Sequence, residues 1–494
     1  MSIKEYMRFN VSKVFLLMLL LTSNNALRSQ EKAAGKTKEQ EIIVTVNTAA
    51  TRTTISPLLM GFNNVYCYEP DKYWQNGAGK IAKYLQGLHT GIMRYPGGTV
   101  VTRFNWEQPT GQGWAEPGEA KFNPAKNLSS SGFMDIDEYL VYTKKLGIEP
   151  LIGINMSTGI KYNKVQEYLE LAKRLVKHCK EKNAEVKYYY LDNEPYLEGI
   201  SYKFTAASYA EQFNLYADAI RSVDPTVKLI ANTHPDNYHY ADTLLQIAGR
   251  NIDIFDIHYY WYWGRASFEN WKAQPAMQRP GGGTLAEQRM KFKELGKKYG
   301  RPDIELVVLE WNIGPETRAK ASPNTSTAPR RTKSQIALMV AEQFSDVLKS
   351  GMPMACFWPA SWPSTMDRAL LASEDGYSAN KVYYIFEMYK SVLGQTLLSA
   401  TASAPRLSHI AAKSKDGKTL WVYLINKTKN SGKAAVTINL TGGRPALVTA
   451  VVYDIHDDHT KAANIKNLAA TMNGNKVNVR MPQYAFAKVT IQLK

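Results

Sequence analysis

Between Leu58 and about Gln395 the chain alternates eight times between a short apolar run and an amphipathic helical segment. Strand followed by helix, repeated, is the pattern of parallel strands joined by crossover helices, and eight such units are the number that closes a barrel. The strand-like runs are Leu58–Phe62, Gly91–Tyr95, Glu149–Ile154, Lys187–Leu191, Val227–Ala231, Ile254–His258, Leu306–Glu310 and Met354–Trp358. The clearest helices are Lys164–Lys182, Ala206–Ser222, Leu285–Tyr299, Ser334–Lys349 and Asn380–Leu393, with apolar residues at three and four spacing. Gly300, Gly351 and Gly394 stand where three of them should stop. The fold class expected is α/β, a (β/α)8 TIM barrel over residues 58–395.

After Gly394 the period shortens to alternating runs such as Thr419–Ile425, Ala446–Tyr453 and Ala485–Leu493, separated by Gly, Asn and Asp turns. Residues 396–494 therefore read as a C-terminal β-sandwich. Residues 42–57 open with a strand, Ile42–Asn47, expected to join that sandwich. Lys4, Arg8 and Lys13 precede the apolar run Val14–Leu21 and a polar stretch, Thr22–Gln30, so residues 1–30 read as a secretory signal peptide and 31–41 as a polar linker. The run is too short to span a bilayer. An exported protein, periplasmic or extracellular, without stable membrane insertion is expected.

With 44% hydrophobic and 21% charged residues among 494, the composition excludes a disordered or collagen-like chain. Cys67, Cys179 and Cys356 lie far apart, which argues against both a disulfide framework and a cysteine-rich zinc site. The formal charge is +17, of which residues 396–494 hold +10 and residues 1–30 hold +3. Residues 31–395 keep only +4, so the basic excess belongs to the C-terminal segment. No nucleic-acid-binding motif accompanies it, and nucleic acid is not an expected partner.

A barrel of this kind carries its site at the C-terminal ends of the strands. Glu194 follows the fourth strand in YYYLDNEP and Glu310 ends the seventh in ELVVLEWN, which places two carboxylates on opposing walls of one mouth. Paired carboxylates are what glycoside hydrolysis needs, one to protonate the leaving oxygen and one to attack or to activate water. Alone, each would read equally well as a solvated loop carboxylate. Their neighbours are amides, an imidazole and indoles: Asn193, the sixth-strand run DIHYYWYW, Trp311 and Asn312. Such groups bond sugar hydroxyls and stack on ring faces. Eight of the ten tryptophans, at 106, 114, 261, 263, 271, 311, 358 and 362, end or follow strands two, six, seven and eight, and either sugar platforms or core packing accounts for each.

Taken together, GFNN at the first strand, MRYPGGT after the second, DNEP, DIHYY and LEWN resemble a clan A retaining glycoside hydrolase, most similar to the family 51 α-L-arabinofuranosidases, with family 39 and related uronide or galactan hydrolases close behind. DNEP stands where GNE is more usual. The resemblance implies Glu194 as acid/base, Glu310 as nucleophile and Asn193 as partner of the hydroxyl beside the anomeric carbon. His258 and Tyr260 would orient the carboxylates, Arg94 would lie under the nucleophile and keep it ionised, and Asn64, Trp311 and Trp358 would bind substrate. Gly97 and Gly98 permit a turn, since phosphate-binding spacings are absent. The implied reaction is double displacement.

Neither a cofactor nor a metal is expected: there is no HExxH, and His258 has no ligand at helical or strand spacing. The expected partner is carbohydrate of plant or algal origin, best read as an arabinofuranoside. An endo-acting hydrolase of an acidic or sulfated polysaccharide and a non-catalytic sugar-binding barrel are the rival readings.

Overall fold

The computed structural model describes residues 41–66, 68–107, 132–197, 202, 204–261, 266–276, 283–315, 331–362, 366–428, 433–456 and 464–494. The expected signal peptide, Cys67, Trp114 and Trp263 lie outside them.

Strand β1 (Ile42–Thr54) leads into a closed barrel of parallel strands in chain order: β2 (Gly61–Asn63), β3 (Ile92–Tyr95), β4 (Glu149–Ile154), β5 (Tyr188–Leu191), β6 (Lys228–Thr233), β7 (Ile254–Trp261), β8 (Glu305–Ile313) and β9 (Ala355–Phe357), with β9 pairing back onto β2. Helices α1 (Lys80–Gly87), α2 (Ile136–Leu146), α3 (Ser157–Lys161), α4 (Val165–Glu181), α5 (Ala206–Val223), α6 (Tyr238–Ala248), α7 (Phe268–Ala273), α8 (Leu285–Lys298), α9 (Lys333–Lys349) and α10 (Lys381–Tyr389) lie between or after them. Ile92, Leu151, Ile230, Val307, Leu309 and Met354 belong to one buried cluster inside the barrel, while residues of opposite parity, such as Met93, Ile152, Leu229 and Val308, pack toward the helices.

Sequence chemistry sets the helix starts. Asp135 with Glu138, Thr205 with Ser208, Thr284 with Glu287 and Thr332 with Gln335 close reciprocal capping boxes, satisfying orphan N–H groups of α2, α5, α8 and α9. Helix α4 shows why the periodicity was readable: Tyr168, Leu171, Ala172, Leu175, Val176 and Cys179 are its buried stripe. Helix α9 differs, being buried without interruption from Ile336 to Leu348. It packs against β8 on one side and the C-terminal sheet on the other, so its polar Glu342, Gln343 and Asp346 are enclosed as well.

The first barrel strand starts later than its apolar run implies. Pro57–Leu59 forms a 3-10 turn, with Ser56 Oγ accepting from Leu58 N. At Gly61 a Cβ would meet the Ala355 carbonyl at 2.2 Å, so only glycine lets β2 close on β9. Strands β7 and β8 run three residues past their expected ends, to Trp261 and Ile313.

Beyond the barrel, β10 (Leu371–Ala372) and β11 (Ser378–Ala379) form a small pair. The remaining strands are β12 (Thr396–Ala402), β13 (Leu407–Lys413), β14 (Thr419–Asn426), β15 (Lys433–Thr441), β16 (Pro445–Asp454), β17 (Ile465–Asn467), β18 (Ala470–Asn473), β19 (Lys476–Pro482) and β20 (Ala485–Leu493). With β1 they make one ten-stranded sheet, order β17-β16-β20-β14-β13-β12-β1-β15-β19-β18. It curls until β16 meets β18 and β19, enclosing a core of its own that includes Val44, Val422, Ile438, Val479 and Ile491. Strand β1 lies antiparallel to β12 and parallel to β15.

Candidate active site

Two strand ends and one bulge build the site. Along β7 the ladder to β8 runs Asp256 to Val307, then slips, so that His258 faces Glu310. The ladder from β8 to β9 slips over the same stretch, from Val308–Ala355 to Trp311–Phe357. One extra residue, Leu309, is thus inserted into β8. Leu309 joins the barrel interior, and the next residue, Glu310, also turns inward among polar groups instead of following strict alternation. A bulge orphans backbone groups, and buried orphans are costly. Here side chains replace the ladder: Asp256 Oδ1 accepts from Leu309 N at 2.8 Å, and Asn63 Nδ2 donates to Leu309 O at 3.0 Å.

Those two side chains tie the bulge to the rest of the site. Asn63 Oδ1 accepts from Arg94 Nη1 at 3.0 Å, and the same Nη1 donates to Glu310 Oε2 at 3.1 Å. Arg94 Nη2 donates to Asn193 Oδ1 at 2.7 Å, and the guanidinium lies 4.3 Å from the Tyr190 ring centre. Arg94 is fully buried, so its charge acts at short range in a low-dielectric setting. Tyr260 donates its hydroxyl to Glu310 Oε1 at 2.5 Å, so both oxygens of Glu310 accept from fixed donors.

On the facing wall, Glu194 sits in the left-handed region, φ 45°, as does Asp192, φ 65°. Asp192 tolerates it by local bonding: its Oδ1 accepts from Asn193 N at 2.8 Å and its Oδ2 from Ser157 N at 2.6 Å. Burial nevertheless raises the Asp192 carboxyl to about 6 against these hydrogen bonds. Glu194 N donates to Asn232 Oδ1 at 3.1 Å, and Asn232 Nδ2 donates to Asp256 Oδ2 at 2.6 Å. His258 Nδ1 lies 2.9 Å from Glu194 Oε1 and 3.5 Å from Glu310 Oε2, and its Nε2 lies 3.3 Å from Asp256 Oδ2. Burial alone would lower the imidazole pKa; the carboxylates of Glu310, Asp256 and Glu194 outweigh it and raise it to about 10. His258 is an imidazolium at neutral pH, a cation held between the two glutamates. One ligand atom from each of Glu194, His258 and Glu310 lies within 4.8 Å of the others.

The family described as "Alpha-L-arabinofuranosidase 1 domain" matches residues 84–274. Alpha-L-arabinofuranosidase C of Emericella nidulans is 23% identical over 412 residues, 78% of this chain and 77% of that one. An intracellular exo-alpha-L-arabinofuranosidase of Bacteroides ovatus is 22% identical over 387 residues, 72% of this chain and 73% of its own. Among solved structures, the α-L-arabinofuranosidase of Thermotoga maritima in its arabinose complex superposes with a TM-score of 0.69 at 18% identity, over 92% of this chain and all of that one. In sequence and in fold the chain is similar to α-L-arabinofuranosidases.

The family match takes in Arg94, Asn193, Glu194, His258 and Tyr260 and stops before Glu310, which the fold alone brings to them. Trp358 follows the eighth barrel strand with its ring laid across Gly98, where a Cβ would come within 2.4 Å of it; Gly98 is therefore a place for an indole as well as a turn. Two sequence expectations need correction. Trp311 is not a sugar platform. Adjacent to inward-facing Glu310, it points outward, fully buried, and stacks on Phe344 of α9 with ring centres 5.5 Å apart and planes 9° apart. Asn64 is also displaced from the network: its Nδ2 donates to Glu69 Oε2 at 2.7 Å, and its neighbour Asn63 is the one that meets Arg94.

Sequence reading missed Asn63, Tyr190, Asn232 and Asp256. Strand parity would have found Asp256, two residues before His258 and so on the same face. As a metal site the Glu194–His258–Glu310 trio fits poorly, because Glu310 already accepts from Arg94 and Tyr260 and an added cation would sit beside the Arg94 charge.

Proposed function

We propose that this chain is an exported retaining glycoside hydrolase that releases α-L-arabinofuranosyl units from plant or algal polysaccharide or oligosaccharide by double displacement. The observation carrying this reading is the approach of Glu194 and Glu310 within the 4.8 Å triangle around His258. Retaining pairs stand about 5 to 5.5 Å apart, whereas inverting pairs leave about 6.5 to 9.5 Å for a water. Arabinofuranoside is favoured by the names of the relatives.

In the first step a Glu310 oxygen attacks the anomeric carbon while the bond to the leaving oxygen breaks and that oxygen takes a proton from Glu194. In the second, Glu194 takes a proton from water, the water oxygen bonds to the anomeric carbon, and Glu310 leaves. Arg94 and Tyr260 each donate to one Glu310 oxygen and keep the carboxyl group aimed. Asn193, its carbonyl fixed by Arg94, has its amide N–H free in role to meet the hydroxyl beside the anomeric carbon. The His258 charge steadies whichever glutamate is anionic at each stage.

An aryl α-L-arabinofuranoside, followed by proton NMR, should give first product of retained configuration. Glu310→Ala should lower turnover by about 10⁴-fold or more, whereas Glu194→Ala should spare substrates with good leaving groups. Inverted first product, or normal turnover in Glu310→Ala, would overturn the assignment.

A further inference from the structure

One cation at the mouth is not accounted for by the two-glutamate chemistry. Arg368 lies in the segment after β9, where Asn312 of β8 clasps its carbonyl at 2.9 Å and that of Trp358 as well. Asn380 Nδ2 donates to the next carbonyl, that of Ala369, at 3.1 Å, so two successive carbonyls from Arg368 onward are fixed. The guanidinium stands 5.8 Å from the ring centre of Tyr260, the residue whose hydroxyl holds Glu310. Its Nη1 donates to the Ile313 carbonyl at 3.3 Å.

Among the described residues it makes no ion pair. Arg94, the other arginine of the site, is closed in by Glu310, Asn63 and Asn193. Among the described residues no carboxylate lies within ion-pair distance of Arg368, which is part-exposed at the strand ends. Burial pushes its pKa down, outweighing the pull of the Glu310 charge and of Tyr260, the mark of a cation partly stripped of water and only partly compensated. A guanidinium has five N–H donors in a planar fork suited to an oxyanion. One peptide carbonyl and the Tyr260 hydroxyl use only part of that fork.

We infer that Arg368 forms an anion-binding subsite at the rim of the active site, taking the carboxylate of a uronic acid or a sulfate ester carried by the sugar chain. This rests on the glycoside hydrolase reading and names the substrate class within it: chains bearing an oxyanion near the bond to be cleaved. The +10 charge of residues 396–494 acts in the same direction at longer range, drawing polyanions toward the protein at low salt. The charge on Arg368 supplies selectivity at close range.

The test uses binding, so that it stands even if the hydrolytic assignment fails. Calorimetric titration of the full-length Glu310→Gln protein, with and without Arg368→Gln, would use two matched probe pairs. One is glucuronate-bearing arabinoxylan oligosaccharides and their carboxyl-reduced counterparts. The other is sulfated galactan oligosaccharides and their desulfated counterparts. The expected result is tighter binding of one anionic member, lost tenfold or more on Arg368→Gln, with no comparable loss for its neutral partner and partial recovery in Arg368→Lys. Loss confined to the first pair assigns a carboxylate; loss confined to the second assigns a sulfate. Equal losses on anionic and neutral members would make Arg368 a structural prop, and absence of any preference for an anionic member would end the proposal. Failure of the two-glutamate reading would show separately, as unaltered turnover in Glu310→Ala.

Discussion

The β7–β8 seam and the β14–β20 seam are built from comparable lengths of chain and opposite principles. Strands β14 and β20 pair without a slip from Thr419–Gln492 to Asn426–Ala485, and their inward residues, including Leu420, Val422, Val489 and Ile491, are apolar. Strands β7 and β8 slip by one residue halfway, and the backbone groups set free are taken by Asp256 and Asn63. An unbroken ladder supports itself and gives no freedom to aim a side chain. A broken one points two successive residues inward and then depends on particular polar groups. In this molecule, chemistry is located where the backbone hands its hydrogen bonds to side chains.

The sharpest way to break the contrast is Asp256→Ala. It removes the acceptor for Leu309 N, the partner of Asn232 and the anion behind His258. Turnover should fall about a hundredfold, the scale of a roughly 1 Å misplacement of reacting groups, and stability by about 3 to 5 kcal/mol, as when one partner of a buried charge pair is lost. Kinetics and chemical denaturation on the same sample would decide it; unchanged turnover would mean the bulge holds itself.

Glu69 tests whether a polar closure outside that seam behaves likewise. It is buried between Ser361, whose Oγ donates to its Oε1 at 2.6 Å, and Asn64. Desolvation outweighs these bonds and raises its pKa from 4.5 to about 8. The folded state then binds more protons than the unfolded state between those values, so this group makes stability fall as pH rises from about 4.5 to about 8. His258 acts in the same sense between about 6.5 and 10. Glu69→Gln should be nearly neutral at pH 5 and should stabilise the protein at pH 9 by on the order of 3 kcal/mol. A melting-temperature difference that is the same at both pH values would refute it.

The smallest effect is expected at Trp311, one residue from Glu310 yet on the apolar side of β8. Trp311→Phe should cost about 1 to 2 kcal/mol of stability through lost packing and leave kcat and KM within about twofold. A tenfold rise in KM would return Trp311 to the sugar-binding surface.

How much was legible follows from these particulars. The eight βα units and the two glutamates could be read because period and strand-end position are local properties. Arg94, Asn193, His258 and Tyr260 were legible from motif resemblance and do converge on the glutamates. The bulge was not legible: nothing in the apolar run VVL before EWN marks an insertion, and the extra residue exists only relative to β7 and β9. That slip is also why Trp311 was misplaced. Helix α9 looked like an ordinary amphipathic helix around a barrel, because the element that covers its outer face arrives much later in the chain.

Helix α9 has a consequence for how the protein comes apart. Its Glu342 is paired at 2.8 Å with Lys427, which follows β14, and neither side chain has appreciable access to water. Lys427 also reaches the Pro275 carbonyl at 3.2 Å, in the loop below α7, and Ser408 of β13 bonds the other oxygen of Glu342. Strand β1, from the opposite end of the polypeptide, lies in the middle of the same sheet. Deleting residues 396–494 would therefore leave an uncompensated carboxylate, a bared helix and a strand without neighbours. The barrel and its appended sheet, two architectures, should melt in a single transition, and a scanning-calorimetry trace with two would contradict it.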